Sequence, residues 1–217
     1  MENPLCPPAD PGFALIETMR WTPGGGIAHR ARHMARLART ARALGITPRG
    51  VSSALDAITS SGPLRVRLTV DAEGRTNLTS APFQALGPDA RWRVAIHPQR
   101  LDAADPWLRH KTTRRAVYDA ARAALPRGID EWIFLNEGGA VCEGTITNIH
   151  IRPAEDAALL TPPRACGLLP GIGREVLIAS RRARPARLTL QDLEQAHAIY
   201  VGNALRGLIR AELVSSC

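Results

Sequence analysis

Lysine is almost missing from this 217-residue sequence: its 28 basic residues are Lys111 and 27 arginines. Arginine can serve wherever only a positive charge is needed, but its guanidinium stays protonated and cannot form an imine. The amine of lysine can lose its proton and attack a carbonyl group. Lys111 is therefore either a chance lysine in an arginine-biased chain or a residue whose amine is needed for chemistry.

Other absences exclude whole classes of protein. No apolar run approaches the ~18 residues that a membrane helix needs, and the first ten residues are proline-rich and acidic where a signal peptide would be basic and then apolar. We therefore expect a cytoplasmic protein without membrane association. The cysteines are scattered, with no C-x-x-C pair and no metal-type cluster, which predicts reduced thiols and no metal site. They are Cys6, Cys142, Cys166 and Cys217.

The formal charge of +8 raises the possibility of nucleic acid or small anionic ligands as partners. The arginines are spread along the whole chain, and aromatic residues make up only 4% of it. This pattern favours solvated basic faces over a nucleic-acid-binding stripe, so we expect no nucleic-acid partner. A basic nucleic-acid-binding protein stays open as the alternative from another class, because the predicted helix at 29–42 is rich in arginine.

The first half of the sequence predicts an α+β unit. A strand at 13–20 and a glycine turn precede a helix from about His29 to Leu44, with Gly45 as its C-terminal cap. Thr47-Pro48 predicts the start of a second helix. Leu64 to Val70 alternates apolar and polar residues, as a half-buried strand does, and further strands follow Glu73-Gly74 and span 90–97. The pattern lapses at 99–106, which predicts a smaller domain at 1–99 and a larger one at 100–217.

The second half predicts a helix from Thr112 to Leu125, with Lys111 at its start, and a hairpin about residues 136–139. A proline-rich loop at 161–163 leads through a glycine-rich stretch to a helix near Arg174. A short helix and two strands then close the chain, at 191–195, 198–202 and 208–214.

Three local features are compatible with a phosphorylated carbonyl cofactor, and each has a plain alternative. Gly171-Ile172-Gly173 precedes a helix, where free N–H groups favour phosphate, although such glycines also serve ordinary turns. Glu143 lies in a predicted strand, where a buried carboxylate needs a partner such as a protonated ring nitrogen, whereas an exposed one needs none. Nothing local separates Arg36 from its helix neighbours Arg32 and Arg39.

The order of six sequence blocks is more specific than any one of them. They are E-T-M-R at 17–20, H-M-A-R-L at 33–37, K-T-T at 111–113, E-G-T-I-T-N at 143–148, T-P-P at 161–163 with G-L-L-P-G-I-G-R at 167–174, and N-A-L-R-G at 203–207. From about Leu15 to Leu213 the chain resembles the class IV pyridoxal-phosphate aminotransferases, which include branched-chain and D-amino-acid aminotransferases and 4-amino-4-deoxychorismate lyase. The resemblance implies a two-domain α/β (α+β) fold like that of D-amino-acid aminotransferase, with pyridoxal 5'-phosphate between the domains and usually a homodimer.

The same resemblance implies roles for individual residues. Lys111 would hold the cofactor as a Schiff base and move the proton, and Glu143 would bind the pyridine nitrogen. Four residues would bind the phosphate: Arg36, Ile172, Gly173 and Asn203. Family members often have threonine where Gly173 stands, so at this position only the backbone can contribute.

Two blocks are closest to the lyase-type members: H-K-T-T-R-R at 110–115 with Tyr118-Asp119, and N-A-L-R-G at 203–207. They imply conversion of 4-amino-4-deoxychorismate to 4-aminobenzoate and pyruvate in folate biosynthesis, with Arg20 and Arg206 as candidates for the substrate carboxylates. A transaminase acting on branched-chain or D-amino acids would use the same cofactor residues and stays open, as does a homologue that binds cofactor without efficient turnover.

Overall fold

The computed structural model describes residues 12–214, which form two compact units. The first unit comprises residues up to Ala85 together with His110–Arg115, and the second comprises Leu86–Arg109 together with the rest of the chain from Ala116. Within the described residues no helix is long and apolar enough to cross a membrane. The acidic, proline-rich first ten residues lie outside the described residues.

The first unit is an antiparallel sheet with two helices packed against it. Its elements are β1 (Ala14–Thr22), β2 (Gly26–Ile27), α1 (Arg30–Ala43), α2 (Val51–Asp56), β3 (Leu64–Asp71) and β4 (Thr76–Pro82). The strand order is β2-β1-β3-β4. Leu15, Met19 and Val66 are buried on the face that α1 covers. β3 alternates buried and exposed residues as its sequence predicts, and α1 is followed by Gly45 in a left-handed conformation, φ 69°.

The predicted helix start at Thr47-Pro48 is wrong, because α2 begins at Val51 with Gly50 before it. The intervening chain is extended and pairs with the β3–β4 turn: Arg49 forms a parallel bridge with Arg75, and its N–H donates to the Gly74 carbonyl at 2.9 Å. Long-range pairing therefore outweighs the local preference of Thr47-Pro48 for a helix N-terminus.

The segment 110–115 joins the first unit as an extra edge beside β1. Ile16 N–H donates to the Lys111 carbonyl at 2.9 Å and Thr113 N–H to the Ala14 carbonyl at 2.8 Å. The prediction that Lys111 begins a helix is wrong, since this pairing holds it in extended chain and the next helix begins at Ala116. The division of the chain also differs from the predicted boundary at 99/100, because this segment pairs with the first unit and residues 91–96 pair with the second.

The second unit is built on a mixed sheet of eight strands. Its elements are β5 (Arg91–Ile96), α3 (Ala116–Ala123), β6 (Glu131–Leu135), β7 (Val141–Gly144), β8 (Asn148–Arg152), β9 (Leu159–Thr161), α4 (Ile172–Ala179), β10 (Ala183–Pro185), α5 (Leu190–Glu194), β11 (Ala198–Asn203) and β12 (Gly207–Leu213). The strand order is β10-β9-β8-β11-β12-β5-β6-β7, and β7 also pairs with β8. This last pairing closes six strands into a ring around a core that includes Ile133, Ile149 and Val201.

Two predicted elements of this unit have different bounds. The strand predicted across 140–151 is two strands, since residues 145–147 turn the chain from β7 back to β8. The helix predicted near Arg174 begins at Ile172, which places Ile172 and Gly173 in its first turn. The mixed α/β fold class itself is confirmed.

Candidate active site

Glu143 is a buried carboxylate at the end of the short strand β7. It is 6% exposed, so its side chain does not face solvent. The hydroxyl of Tyr118, from α3, donates to Oε1 at 2.7 Å, and Asn148 Nδ2 lies 3.5 Å from Oε2. Because burying a carboxylate is costly without hydrogen-bond partners, these neutral donors explain how Glu143 is held on the inner side of its strand.

Asn148 links Glu143 to the loop that precedes α4. The two residues are paired in the β7–β8 register, and Asn148 Nδ2 also donates to the Leu169 carbonyl at 3.0 Å. A side chain at Gly171 would overlap Asn148 Oδ1, so glycine allows the loop to lie directly on β8. The side-chain amide of Asn148 therefore positions the start of α4 relative to the Glu143 carboxylate.

The first turn of α4 offers backbone N–H groups without acceptors. Its first helical hydrogen bond runs from Glu175 N–H to the Gly171 carbonyl at 2.9 Å. Among residues 12–214, neither Ile172 N–H nor Gly173 N–H has a hydrogen bond, and Gly171 supplies no capping side chain. Such orphan donors and the positive end of the helix dipole favour an anion, so this donor set fits a phosphate group.

Gly173 lies in close backbone packing. A Cβ atom at this position would lie 3.0 Å from the carbonyl carbon of Asn203 and 3.1 Å from Ala204 N, in the turn between β11 and β12. A threonine could therefore be accommodated only if this turn moved away from α4. Glycine at this position therefore allows α4 and the turn to lie this close together.

The side chain of Asn203 holds that turn in place. Its Oδ1 accepts from the N–H groups of Leu205 at 3.1 Å and Arg206 at 2.9 Å, and its Nδ2 donates to the Ile146 carbonyl at 3.1 Å. The Asn203 side chain thus connects its own turn to the 145–147 turn of the second unit. The structure gives it a positioning role, and direct contact with a phosphate remains a prediction.

Glu131 organises the neighbouring turn, and the sequence patterns did not indicate it. Its carboxylate is fully buried and accepts from the N–H groups of Thr145 at 3.0 Å and Ile146 at 3.1 Å. The hydroxyls of Thr145 and Thr147 donate to it as well, and Arg122 lies 3.5 Å away. Glu131 therefore fixes the 145–147 turn, in which the Ile146 carbonyl accepts the hydrogen bond from Asn203 Nδ2.

We expect Glu131→Gln to lower the free energy of unfolding by about 2–3 kcal/mol, because a neutral amide replaces a charged acceptor and leaves buried donors unsatisfied. Urea denaturation would measure the loss. Glu194→Gln is the matched control, since Glu194 is exposed on α5. Equal stability of the two variants would contradict this role for Glu131.

Arg36 is distinguished from the other arginines of α1 by burial and by its partner. It is 5% exposed, while Arg32 and Arg39 are exposed. Its Nε and Nη2 donate to the two oxygens of Glu17 at 2.9 and 2.6 Å, and His33 Nδ1 lies 2.6 Å from the same carboxylate. Burial would raise the pKa of Glu17, but the hydrogen bonds from Arg36 and His33 outweigh it and hold that pKa below its ordinary value.

The predicted site residues are divided between the two units. Lys111 is half-buried beside β1, in the unit that also carries Arg36 and the exposed Arg20. The second unit carries Glu143, the α4 donors and Asn203, and its Arg206 places its guanidinium carbon 6.0 Å from the ring centroid of Trp92.

Comparison with known proteins agrees with this architecture. Residues 14–214 match the model of the family described as amino-transferase class IV. A solved structure from Mesorhizobium loti, assigned as an amino-acid aminotransferase, is 41% identical, with a TM-score of 0.87 over 93% of this chain and 100% of that one. A structure from Legionella pneumophila, assigned as a 4-amino-4-deoxychorismate lyase, is 23% identical and shows likeness of fold, with a TM-score of 0.80 over 92% and 82% of the two chains.

A curated relative from Methanocaldococcus jannaschii, assigned as a branched-chain-amino-acid aminotransferase, is 30% identical over 123 residues. The match covers 54% of this chain and only 42% of that protein. The family model, in contrast, spans nearly the whole chain. The chain belongs to the class IV aminotransferase family, whose members are pyridoxal-phosphate-dependent enzymes.

Proposed function

We propose that Lys111 carries the cofactor and acts at the amine-bearing carbon of the substrate. The observation that supports this most strongly is that Lys111 is the single lysine of a chain belonging to a pyridoxal-phosphate-dependent family. When bound, the cofactor supplies a carbonyl that condenses with an amine and a protonated ring that accepts an electron pair. Backbone hydrogen bonds at the Lys111 carbonyl and at Thr113 N–H hold this segment beside β1, so the backbone from which the amine extends is fixed.

The other residues would bind and orient the group. Glu143 would keep a proton on the ring nitrogen, with Tyr118 holding the carboxylate in place. Arg36 and the N–H groups of Ile172 and Gly173 would bind the phosphate, and Asn203 would support them through the turn that it caps. Charge-assisted contacts of this kind stop the ring from drifting while Lys111 exchanges with the substrate amine.

For the reaction, we propose 4-amino-4-deoxychorismate lyase activity, which forms 4-aminobenzoate and pyruvate and belongs to folate biosynthesis. The support is the resemblance of residues 110–115 and 203–207 to lyase-type members. Lys111, released when the substrate amine takes its place, would remove the proton from the amine-bearing carbon, and loss of pyruvate would leave an aromatic ring. Arg20 and Arg206 are candidates for the substrate carboxylates, and a cytoplasmic homodimer is part of the same proposal.

A transaminase acting on branched-chain or D-amino acids is the second candidate. It is favoured by the 41% identity to the M. loti structure, which is assigned as an amino-acid aminotransferase. This reaction would use the same residues, but Lys111 would return the proton to a different carbon and the amino group would pass to a second keto acid.

One experiment separates the two reactions. Purified holoenzyme is incubated with 4-amino-4-deoxychorismate, and separately with amino-acid and keto-acid pairs. Release of 4-aminobenzoate and pyruvate supports the lyase, and a new amino acid supports the transaminase. A colourless protein that shifts DNA in a salt-dependent way would instead favour the nucleic-acid-binding alternative.

Arg36→Ala is expected to lower the affinity for pyridoxal phosphate at least about tenfold, because a hydrogen bond to a charged group is worth roughly 1.5–3 kcal/mol. Pyridoxal, which lacks the phosphate, should lose much less affinity. Equilibrium titration of both ligands measures this. The second ligand is needed because removing Arg36 also leaves Glu17 buried without its guanidinium partner, and a general loss of structure would weaken both ligands alike.

Arg39→Ala is the matched control for this comparison, since Arg39 is exposed on the same helix. If the two substitutions had equal effects, or if pyridoxal and its phosphate lost affinity equally, the phosphate site would have been assigned to the wrong arginine.

A further inference from the structure

We propose that Arg174 supplies buried positive charge to the anion site of α4 and so holds a bound phosphate monoester in its doubly ionised form. The inference rests on the phosphate-binding role proposed for the first turn of α4, and it adds a residue to which the family resemblance gave no role. Arg174 directly follows Gly173 and lies in that same first turn.

Arg174 is a buried cation that no carboxylate pairs directly. It is 4% exposed, its Nη2 donates to the Pro162 carbonyl at 2.7 Å, and its Nε lies 3.3 Å from Thr161 Oγ1. Within residues 12–214 it forms no ion pair. Burial lowers the pKa of Arg174 below its ordinary value, and the carboxylates of Glu175 and Glu143 offset this effect only in part. Neutral acceptors therefore hold the guanidinium in place and leave its charge uncompensated.

The position of Arg174 makes this charge unfavourable until an anion binds. The first turn of a helix is the positive end of its dipole, where cations are destabilised and anions are stabilised. Helical side chains also lean toward the N-terminus, so the guanidinium extends toward the same end as the N–H groups of Ile172 and Gly173. An anion at these donors would be stabilised both by the helix and by Arg174.

His150 lies in the same buried region and does not share the positive charge. It alternates along β8 with Asn148, so the two residues share the face that contacts the start of α4. His150 is 1% exposed, and neither ring nitrogen has a hydrogen bond within the described part of the chain. Burial and then the charge of Arg174 lower its pKa to about 4, and the backbone of Asn148 opposes them to a smaller extent. Arg164, in the segment before α4, adds positive charge near Arg174. The positive charge beneath α4 thus belongs to arginine and persists over the pH range in which a phosphate titrates.

A fixed positive charge favours the dianion of a bound phosphate over its monoanion. The second pKa of a phosphate monoester is about 6, so both forms are present near neutral pH. A unit charge at roughly 10 Å changes such an equilibrium on the order of tenfold at an effective dielectric constant of about 20, which corresponds to a change of about one in the pKa. The dianion also accepts the stronger charge-assisted hydrogen bonds from the N–H donors of α4.

Phosphorus NMR of the protein reconstituted with pyridoxal phosphate measures this ionisation, because the phosphate resonance moves as the group titrates. The midpoint of the bound phosphate is expected about one pH unit or more below that of free pyridoxal phosphate. Arg174→Gln removes the charge but keeps an amide donor for the Pro162 carbonyl, and its midpoint should return toward the free value. The affinity of this variant for pyridoxal phosphate near neutral pH should fall about tenfold, while its affinity for pyridoxal should not change.

Arg174→Lys separates the charge from the hydrogen bonds, because lysine keeps the charge but lacks the planar fork that binds two acceptors. It should keep the low midpoint of the wild type. Arg182→Gln is the matched control for a lost charge, since Arg182 is exposed beyond the end of α4, and its midpoint should equal that of the wild type.

A wild-type midpoint near that of the free cofactor would overturn the proposal without any variant, so the test does not depend on the folding of Arg174→Gln. An unchanged midpoint in Arg174→Gln would overturn it as well. Equal effects of Arg174→Gln and Arg174→Lys would do the same, since they would assign the role of Arg174 to its hydrogen bonds. In each of these cases pyridoxal phosphate still binds, whereas a protein that binds none loses the function proposed for α4 too, so the two failures are distinguishable.

Discussion

Replacing Lys111 by alanine is expected to eliminate the covalent link to pyridoxal phosphate and to reduce turnover by about 10³-fold or more. The size follows from the two roles proposed for one amine: it forms the imine, and it then acts as the general acid and base, a role worth roughly 10²–10⁴-fold alone. No other lysine can replace it within the chain. Borohydride reduction followed by peptide mass spectrometry would locate any adduct.

The variant should remain folded. Lys111 is half-buried, and the bonds that hold its segment beside β1 are made by the backbone, through Ile16 N–H and Thr113 N–H, which alanine preserves. Lys111→Arg is the matched control for charge, because arginine stays protonated and cannot form the imine. Both variants should therefore lose the adduct. A reducible adduct that persists on an internal peptide of Lys111→Ala would show that the anchor lies elsewhere.

Local periodicity was sufficient to predict β3 and α1 of the first unit. The alternation along β3 and the helical spacing of α1 with Gly45 after it are short-range patterns, and the structure confirms both. What the sequence could not reveal is pairing between distant segments. The extended conformation of residues 47–49 and of 110–115 depends on partners at Arg75 and in β1, so local preference for helix gave the wrong answer at both places.

The candidate site shows the same contrast between what local sequence indicates and what depends on contacts between distant segments. The family resemblance implied cofactor-binding roles for Arg36 and Glu143, which stay predictions, and only the structure shows how these residues differ from similar residues nearby. Arg36 is set apart by Glu17, which lies 19 residues earlier in the sequence, and Glu143 by Tyr118, which lies 25 residues earlier. Glu131 had no recognisable motif, because its role is to accept hydrogen bonds from backbone N–H groups that any residue could supply.

The hydrogen bonds of Glu143 lead to the second large prediction, that Glu143→Gln slows turnover by ~100-fold or more while the cofactor still binds. A neutral amide no longer favours a protonated pyridine nitrogen, so the ring becomes a poorer acceptor of electrons as Lys111 removes the proton. The phosphate contacts proposed for Arg36 and α4 are untouched, which is why binding should persist. The rate of the reaction that the holoenzyme catalyses, with cofactor affinity measured alongside, would check both parts.

Tyr118→Phe is the matched control, because it removes the 2.7 Å hydrogen bond to Glu143 but leaves the carboxylate charge. If the carboxylate charge is what matters, Tyr118→Phe should slow turnover much less than Glu143→Gln. The pH dependence of the absorbance of the bound cofactor should also change more in Glu143→Gln than in Tyr118→Phe. Equal losses would assign the effect to the orientation of the side chain. An unchanged rate in Glu143→Gln, with cofactor bound, would mean that Glu143 does not contact the ring nitrogen and that its burial serves the β7–β8 junction alone.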